Sequence, residues 1–75
     1  MKQTNFQDVF LNAVRKEKFD VTIYLTNGFQ FNGQVRSFDN FTIMLEVGGK
    51  QQLVFKHAVS TIIPKRAVDF SKYEN

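Results

Sequence analysis

The pattern of apolar residues predicts an all-β domain with an N-terminal helix, built as a small, strongly bent barrel of five short strands. Three observations carry that prediction. A helical stripe opens the chain and gives way, after Lys18, to a period of two. Turn signals then recur every few residues and cut the rest into short alternating runs. The second run carries a glycine at its middle, Gly33, which marks a bend or bulge.

The helix comes first. Thr4-Asn5-Phe6-Gln7 fits a capping box, with Thr4 and Gln7 three apart, and Asn5 is an equally good N-cap. Phe6, Val9, Phe10, Ala13 and Val14 then fall on one helical face. Gln7, Asp8, Asn12, Arg15 and Lys16 occupy the other, with the acid in the first turn and the bases in the last, as the helix dipole favours.

Five alternating runs follow. Val21, Ile23 and Leu25 alternate with Thr22, Tyr24 and Thr26 until Asn27-Gly28, a strong hairpin signal. Phe29, Phe31, Gly33 and Val35 make one face of the second run, and Gln30, Asn32, Gln34 and Arg36 make the other. Asp39-Asn40 reads as a turn, with the Asp39 carboxylate capping backbone amides. Phe41, Ile43, Leu45 and Val47 form the third set, ended by Gly48-Gly49. Gln51 to Phe55 form the fourth, broken at Lys56-His57-Ala58. Thr61-Ile62-Ile63 form the fifth, stopped by Pro64. Residues 1–64 are read as one domain, and 65–75, which lack a period, as a short flexible tail.

A chain of 75 residues supports one small domain, whose core rarely supplies more than about 3–5 kcal/mol unaided. Disulfides are excluded because there is no cysteine, and with a single histidine a metal site of side-chain nitrogens and sulfurs is not expected. No cofactor is expected either. Self-association is left as the way to complete the fold. The N-terminus has no apolar segment of a signal peptide, no run approaches the length of a membrane span, and a cytoplasmic location is expected.

Catalysis needs a nucleophile with its base, a metal, or paired carboxylates, and the seven acids here are scattered singly. An enzyme is therefore not expected. The net charge of +3 suits a polyanionic partner without proving one. Nine Phe and two Tyr are more aromatic rings than so small a core needs, which leaves some as candidate stacking surfaces. Two barrel types fit the strand order, OB-like and SH3-like. A monomeric adaptor of either type would leave its edge strands open, which is an aggregation hazard. A helix ahead of the strands favours the Sm variety of the SH3-like barrel.

The segments VTIYLTNGFQFNGQVRSFDNFTIML and QQLVFKHAVSTIIP resemble the two Sm motifs of the bacterial Hfq family, and FQDVFLNAVRKE resembles that family's helix. The most specific element is Phe55-Lys56-His57-Ala58. The resemblance covers residues from about 5 to 64. It implies a homohexameric ring that binds single-stranded RNA, uridine-rich on the helix-bearing proximal face and adenine-containing on the distal face. It also implies post-transcriptional regulation in which small regulatory RNAs are helped to pair with mRNAs.

Carried onto this sequence, the proximal site is Gln7, Asn40, Phe41, Lys56 and His57. Phe41 would stack a uracil, Gln7 or Lys56 would bond its carbonyls, and His57 would meet phosphate or ribose. By periodicity alone Phe41 and His57 read as core, in phase with Ile43 and Leu45 and with Leu53 and Phe55 respectively, and it is the Lys56-His57-Ala58 context that turns the reading to a pocket. The distal site is Tyr24, Asn27, Gly28, Phe29, Gln30, Phe31, Asn32, Gln52 and Thr61. Tyr24 stands on the polar phase of its run, while Phe29 and Phe31 also fit the core by parity. The rim is Asn12, Arg15, Lys16 and Lys18, although the helix dipole alone accounts for charge at that place.

Three departures from the family pattern matter. Asn40 stands where many relatives have Gln or Lys, which puts any bond from it in doubt. Phe55 replaces a commoner tyrosine and its hydroxyl. Only Arg15 is an arginine in the rim, and lysine lacks the planar two-pronged contact, so weak strand annealing is expected. The NGFQ form resembles the Gram-positive variety, whose distal face prefers adenine alternating with a less selective nucleotide.

Overall fold

The computed structural model describes residues 6–69 and residue 71. Helix α1 (Phe6–Glu17) is followed by β1 (Asp20–Leu25), β2 (Gln30–Phe38), β3 (Thr42–Val47), β4 (Lys50–Phe55), one 3-10 turn (Lys56–Ala58) and β5 (Val59–Pro64). Every pairing is antiparallel, in the order β4-β3-β2-β1-β5. This is the expected helix and five strands. The sheet has two open edges, β4 and β5.

The expected capping residues Thr4 and Asn5 lie outside the described residues. Within α1 the buried line differs from the predicted stripe. Leu11, absent from that stripe, is fully buried with Ala13 and Val14, whereas Phe6 is exposed. The helix docks through Leu11 and Val14 onto the sheet's inner face.

At its C-terminus the amide of Lys18 donates to the Arg15 carbonyl at 3.3 Å and that of Phe19 to the Val14 carbonyl at 3.1 Å. This double closure is a Schellman motif, and Lys18 takes its left-handed position with φ of 58°. Glycine usually fills that place, so nothing in the sequence announced it.

The bends arise at two register slips, one between Tyr24 and Leu25 against β5 and one between Val35 and Ser37 against β3. Gly33 has a more specific task than bending. A Cβ there would lie 2.2 Å from the Glu46 carbonyl oxygen, so the absent side chain is what lets β3 pass close to β2. The core is Leu11, Val14, Val21, Ile23, Val35, Ile43, Leu45 and Val54, with Phe10, Phe19, Phe31 and Phe38 packed around it.

Two strands depart from the predicted pattern. In β4 the inward residue is Val54, while Leu53 and Phe55 are exposed at 54% and 53%. Register explains it, because Val54 faces buried Ile43 and Leu53 faces Met44. Strand β5 begins at Val59, earlier than expected, and includes Pro64, which pairs with Val21. A proline is tolerated there because β5 is an edge. Beyond it the Lys65 amide donates to the Asp20 carbonyl at 2.9 Å and Val68 packs against the core, so the expected tail begins attached to the barrel.

Candidate nucleic-acid interface

The β2–β3 turn is a scaffold built by one carboxylate. Asp39 Oδ1 accepts hydrogen bonds from the Phe41 amide at 2.8 Å, the Thr42 amide at 2.7 Å and the Thr42 hydroxyl at 2.8 Å. These bonds, first the one from the Phe41 amide, hold the Asp39 carboxyl below its ordinary pKa, with a smaller contribution from the Lys56 charge. The turn carries Asn40 and Phe41 at its tip. Phe41 is 74% exposed, which rules out the core role that periodicity allowed.

The 3-10 turn is tied to the same place. The Lys56 amide donates to the Phe41 carbonyl at 2.8 Å. The Lys56 ammonium lies 2.8 Å from Asp8 Oδ1 and 5.3 Å from the centre of the Phe38 ring. With its side chain only 10% exposed, Lys56 joins helix, turn and barrel. One of the three ammonium N–H donors is committed to Asp8. His57 is exposed, with its ring 5.8 Å from that of Phe55.

Gln7 and Lys56 line one groove of about 390 Å³ with Phe6, Phe10 and Val59 to Ile62. The structure thus brings Gln7 to Lys56 and ties Lys56 to the Phe41 backbone, with His57 exposed next to Lys56 and Asn40 exposed next to Phe41. Sequence reasoning missed Asp8 and Phe38 as partners of Lys56. In the sequence Asp8 reads only as a first-turn acid that suits the helix dipole, and no local pattern links residues 48 apart.

On the sheet's outer face Tyr24 pairs with Gln30 and with Thr61, and Thr22 pairs with Asn32. Directly paired residues share a face, so Tyr24, Gln30, Asn32 and Thr61 form one surface. The Thr22 hydroxyl donates to Asn32 Oδ1 at 2.6 Å and leaves the amide nitrogen to donate elsewhere.

Phe29 is 67% exposed at the head of β2, beside the turn in which Asn27 Oδ1 accepts from the Phe29 amide at 3.0 Å and Gly28 takes φ of 93°. Asn27 and Gly28 therefore shape the turn that presents Phe29. Phe31 and Gln52 are not brought to this surface. Phe31 pairs with Ile23 and packs on the core, and Gln52 pairs with buried Leu45.

In the rim, the Arg15 guanidinium donates to Asn12 Oδ1, so the two form a unit on α1. Lys16 and Lys18 are exposed beside it. Among the described residues no group of three or more His, Cys, Asp or Glu could hold a metal ion, and no helix is long and apolar enough to cross a membrane.

A helix followed by a five-stranded, antiparallel, sharply bent sheet that ends in a 3-10 turn and an edge strand is the architecture of an Sm-like protein. Residues 6–69 match the family model described as Hfq protein. The RNA-binding protein Hfq of Brevibacillus brevis is 59% identical over 76 residues, covering 100% of this chain and 96% of that one. The RNA-binding protein Hfq of Ruminiclostridium cellulolyticum is 65% identical over 65 residues, covering 87% and 81%. A solved structure, the 1.55 Å crystal structure of the pleiotropic translational regulator Hfq, superposes with a TM-score of 0.76 at 37% identity, covering 79% of this chain and 98% of that one. The chain belongs to the Hfq family.

Proposed function

We infer that this chain binds single-stranded RNA and acts as a non-catalytic RNA chaperone in the cytoplasm, helping small regulatory RNAs to meet mRNAs. Uridine-rich RNA occupies the helix-bearing face through Phe41, Gln7, Lys56 and His57, with Asn40 at its border. Adenine-containing RNA occupies the outer sheet face through Tyr24, Phe29, Gln30, Asn32 and Thr61. One observation carries the reading. Phe41 is a large apolar ring held out in solvent by three hydrogen bonds to a single carboxylate, beside a lysine already steered by Asp8. A fixed, exposed aromatic plane next to polar groups is what base stacking requires. The Hfq names of its relatives support the same ligand.

The working form is a homohexameric ring. Both sheet edges are open, and each presents exposed apolar side chains, Leu53 and Phe55 on β4 and Ile63 on β5. Pairing β4 of one copy with β5 of the next satisfies both edges and covers these residues, and a head-to-tail contact of this kind closes into a ring.

Native mass spectrometry of the purified protein, alone and with a short oligouridine, tests both parts. A single assembly of six subunit masses that gains one oligonucleotide is the expected result. A monomer that ignores the RNA would overturn the reading. A ring that binds oligoadenylate but not oligouridine would leave the outer face alone in the proposal.

A further inference from the structure

The outer sheet face continues past Asn32 into a polar hollow. Thr22 pairs with Asn32, and side chains two apart on a strand share a face, so Asp20 and Gln34 stand on that face as well. Gln34 pairs with Glu46, and the Lys65 amide donates to the Asp20 carbonyl at 2.9 Å. A row Lys65, Asp20, Gln34, Glu46 thus runs from the end of β5 across β1 and β2 to β3. With Asn32 it lines a cavity of about 400 Å³. Gly33 and Gly48 also line it and carry no side chain to fill it. The volume falls within the range of about 300–1,000 Å³ usual for small-molecule sites.

The hydrogen-bonding groups of the cavity are already sorted into donors and acceptors. Gln34 Nε2 commits its hydrogens to the Lys18 carbonyl at 3.2 Å and Asp20 Oδ1 at 3.1 Å, so Gln34 has only its oxygen left to offer. Asn32 Oδ1 accepts from the Thr22 hydroxyl at 2.6 Å, which leaves the Asn32 amide nitrogen as a donor. Glu46 Oε1 is held by the Arg36 guanidinium at 2.7 Å, and the second carboxylate oxygen has no partner among the described residues. One flank of the cavity, at Glu46, therefore accepts, and the opposite flank, at Lys65, donates. Two carboxylates in one hollow disfavour a phosphate, so the group that fits is a base and not the backbone.

We propose that this cavity is a guanine-selective nucleobase site on the outer sheet face, with Glu46 as the residue that reads the base. Guanine alone among the four RNA bases presents adjacent donors, N1–H and the 2-amino group, that one carboxylate accepts together. Its other edge carries the acceptors O6 and N7, which lysine takes. Adenine sets the N1 lone pair against the carboxylate, cytosine sets N3 beside its amine, and uracil flanks its single N–H with two carbonyls. A strand whose bases lie beside Tyr24 reaches the cavity by way of Asn32. The sheet order puts β1, β2 and β3 inside, so pairing through the edges leaves the cavity open. That a strand lies on this face rests on the RNA-binding reading above.

The test is fluorescence anisotropy of the full chain with a labelled oligoadenylate and with the same oligomer carrying one central guanosine. A good two-pronged base contact discriminates by about fivefold or more, so the guanosine oligomer should bind the parent at least about fivefold more tightly. E46Q should bring that ratio to about one. The ratio is the readout because removing a negative charge shifts both affinities alike. A third oligomer carries inosine, which lacks the 2-amino group, and should lose most of the gain with the parent chain, with no substitution in the protein.

Equal affinity for the guanosine and adenosine oligomers overturns the site and leaves the RNA reading standing. So does a guanosine gain that survives in E46Q, or one that inosine reproduces in full, since the base is then read elsewhere. If the parent binds none of the oligomers, the RNA reading fails. Titration with free guanosine and with adenosine, followed by amide resonances, then decides the site: shifts at Gly33 and Gly48 with guanosine alone sustain it, and their absence overturns it.

Discussion

Replacing Phe41 with alanine separates a stacking platform from a core residue, because the two roles predict opposite pairs of results. A fully buried phenylalanine removed from a core costs about 3–5 kcal/mol. That is comparable to the whole stability expected of a domain this size. At 74% exposure, only about a quarter of the Phe41 ring surface is covered. Taking roughly 200 Å² for the ring, about 50 Å² is lost, or about 1 kcal/mol at 25 cal/mol per Å². Thermal unfolding at fixed protein concentration should therefore fall by no more than about 4–8 °C. Loss of base stacking removes about 1–3 kcal/mol per base, which is about 5- to 150-fold in affinity for a short oligouridine. Anisotropy reads the affinity and calorimetry reads the melting. F41Y, which keeps the plane, should bind within a few-fold of the parent. Collapse of the fold in F41A would show that the ring is structural. A stable F41A that binds oligouridine as the parent does would refute the platform outright.

Lys18→Gly should raise stability by about 1 kcal/mol, since it removes the penalty of a side chain at φ of 58°, and a higher melting temperature checks it. Gly33→Ala should destabilise by about 1–3 kcal/mol or more, because its Cβ meets the Glu46 carbonyl at 2.2 Å; denaturant titration reads the loss. The Asp39 carboxyl, held below its ordinary value of 3.8 by the Phe41 and Thr42 bonds, stabilises the fold at pH above that value. Its contribution is lost as the pH falls through the lower folded value, so D39N should flatten the acid limb of a melting-temperature profile while leaving it unchanged in shape near neutrality.

The period of the chain made most of the fold legible. The switch from helical spacing to alternation placed α1 and all five strands, Asn27-Gly28 and Gly48-Gly49 placed two turns, and Asp39 was recognisable as a cap because a short acid before a strand has little else to do. What escaped was set by distance. Leu11 is buried because of what α1 lies against, not because of its neighbours in sequence. Leu53 and Phe55 carry the apolar character of a core phase but point outward, since the register with β3, and not composition, chooses the face of β4. The Asp8–Lys56 pair joins residues that only the barrel brings near. Phe41 is the instructive case. Periodicity placed it in the core phase, the family resemblance implied a pocket, and the turn held by Asp39 keeps it out of the core.

Apart from Phe6 on α1, the exposed large apolar residues divide into two kinds by location. Leu53, Phe55 and Ile63 lie along the two unpaired edges, where backbone donors and acceptors also lack partners. A strand laid along such an edge satisfies those backbone groups, which is the contact the proposed ring would make. Phe29 and Phe41 instead cap turns, each held by an Asx-type bond from the residue two before it, Asn27 and Asp39. A turn tip offers no ladder to extend, only a plane, and a plane recognises flat ligands. The two turns leave β2 at opposite ends, one before it and one after it. On the proposed function, stacking surfaces at the two ends of one strand would give two separate nucleic-acid tracks on a single thin barrel, with the edges between them left for assembly. Substitutions at the edges should therefore change subunit count before they change base preference, and substitutions at the tips the reverse.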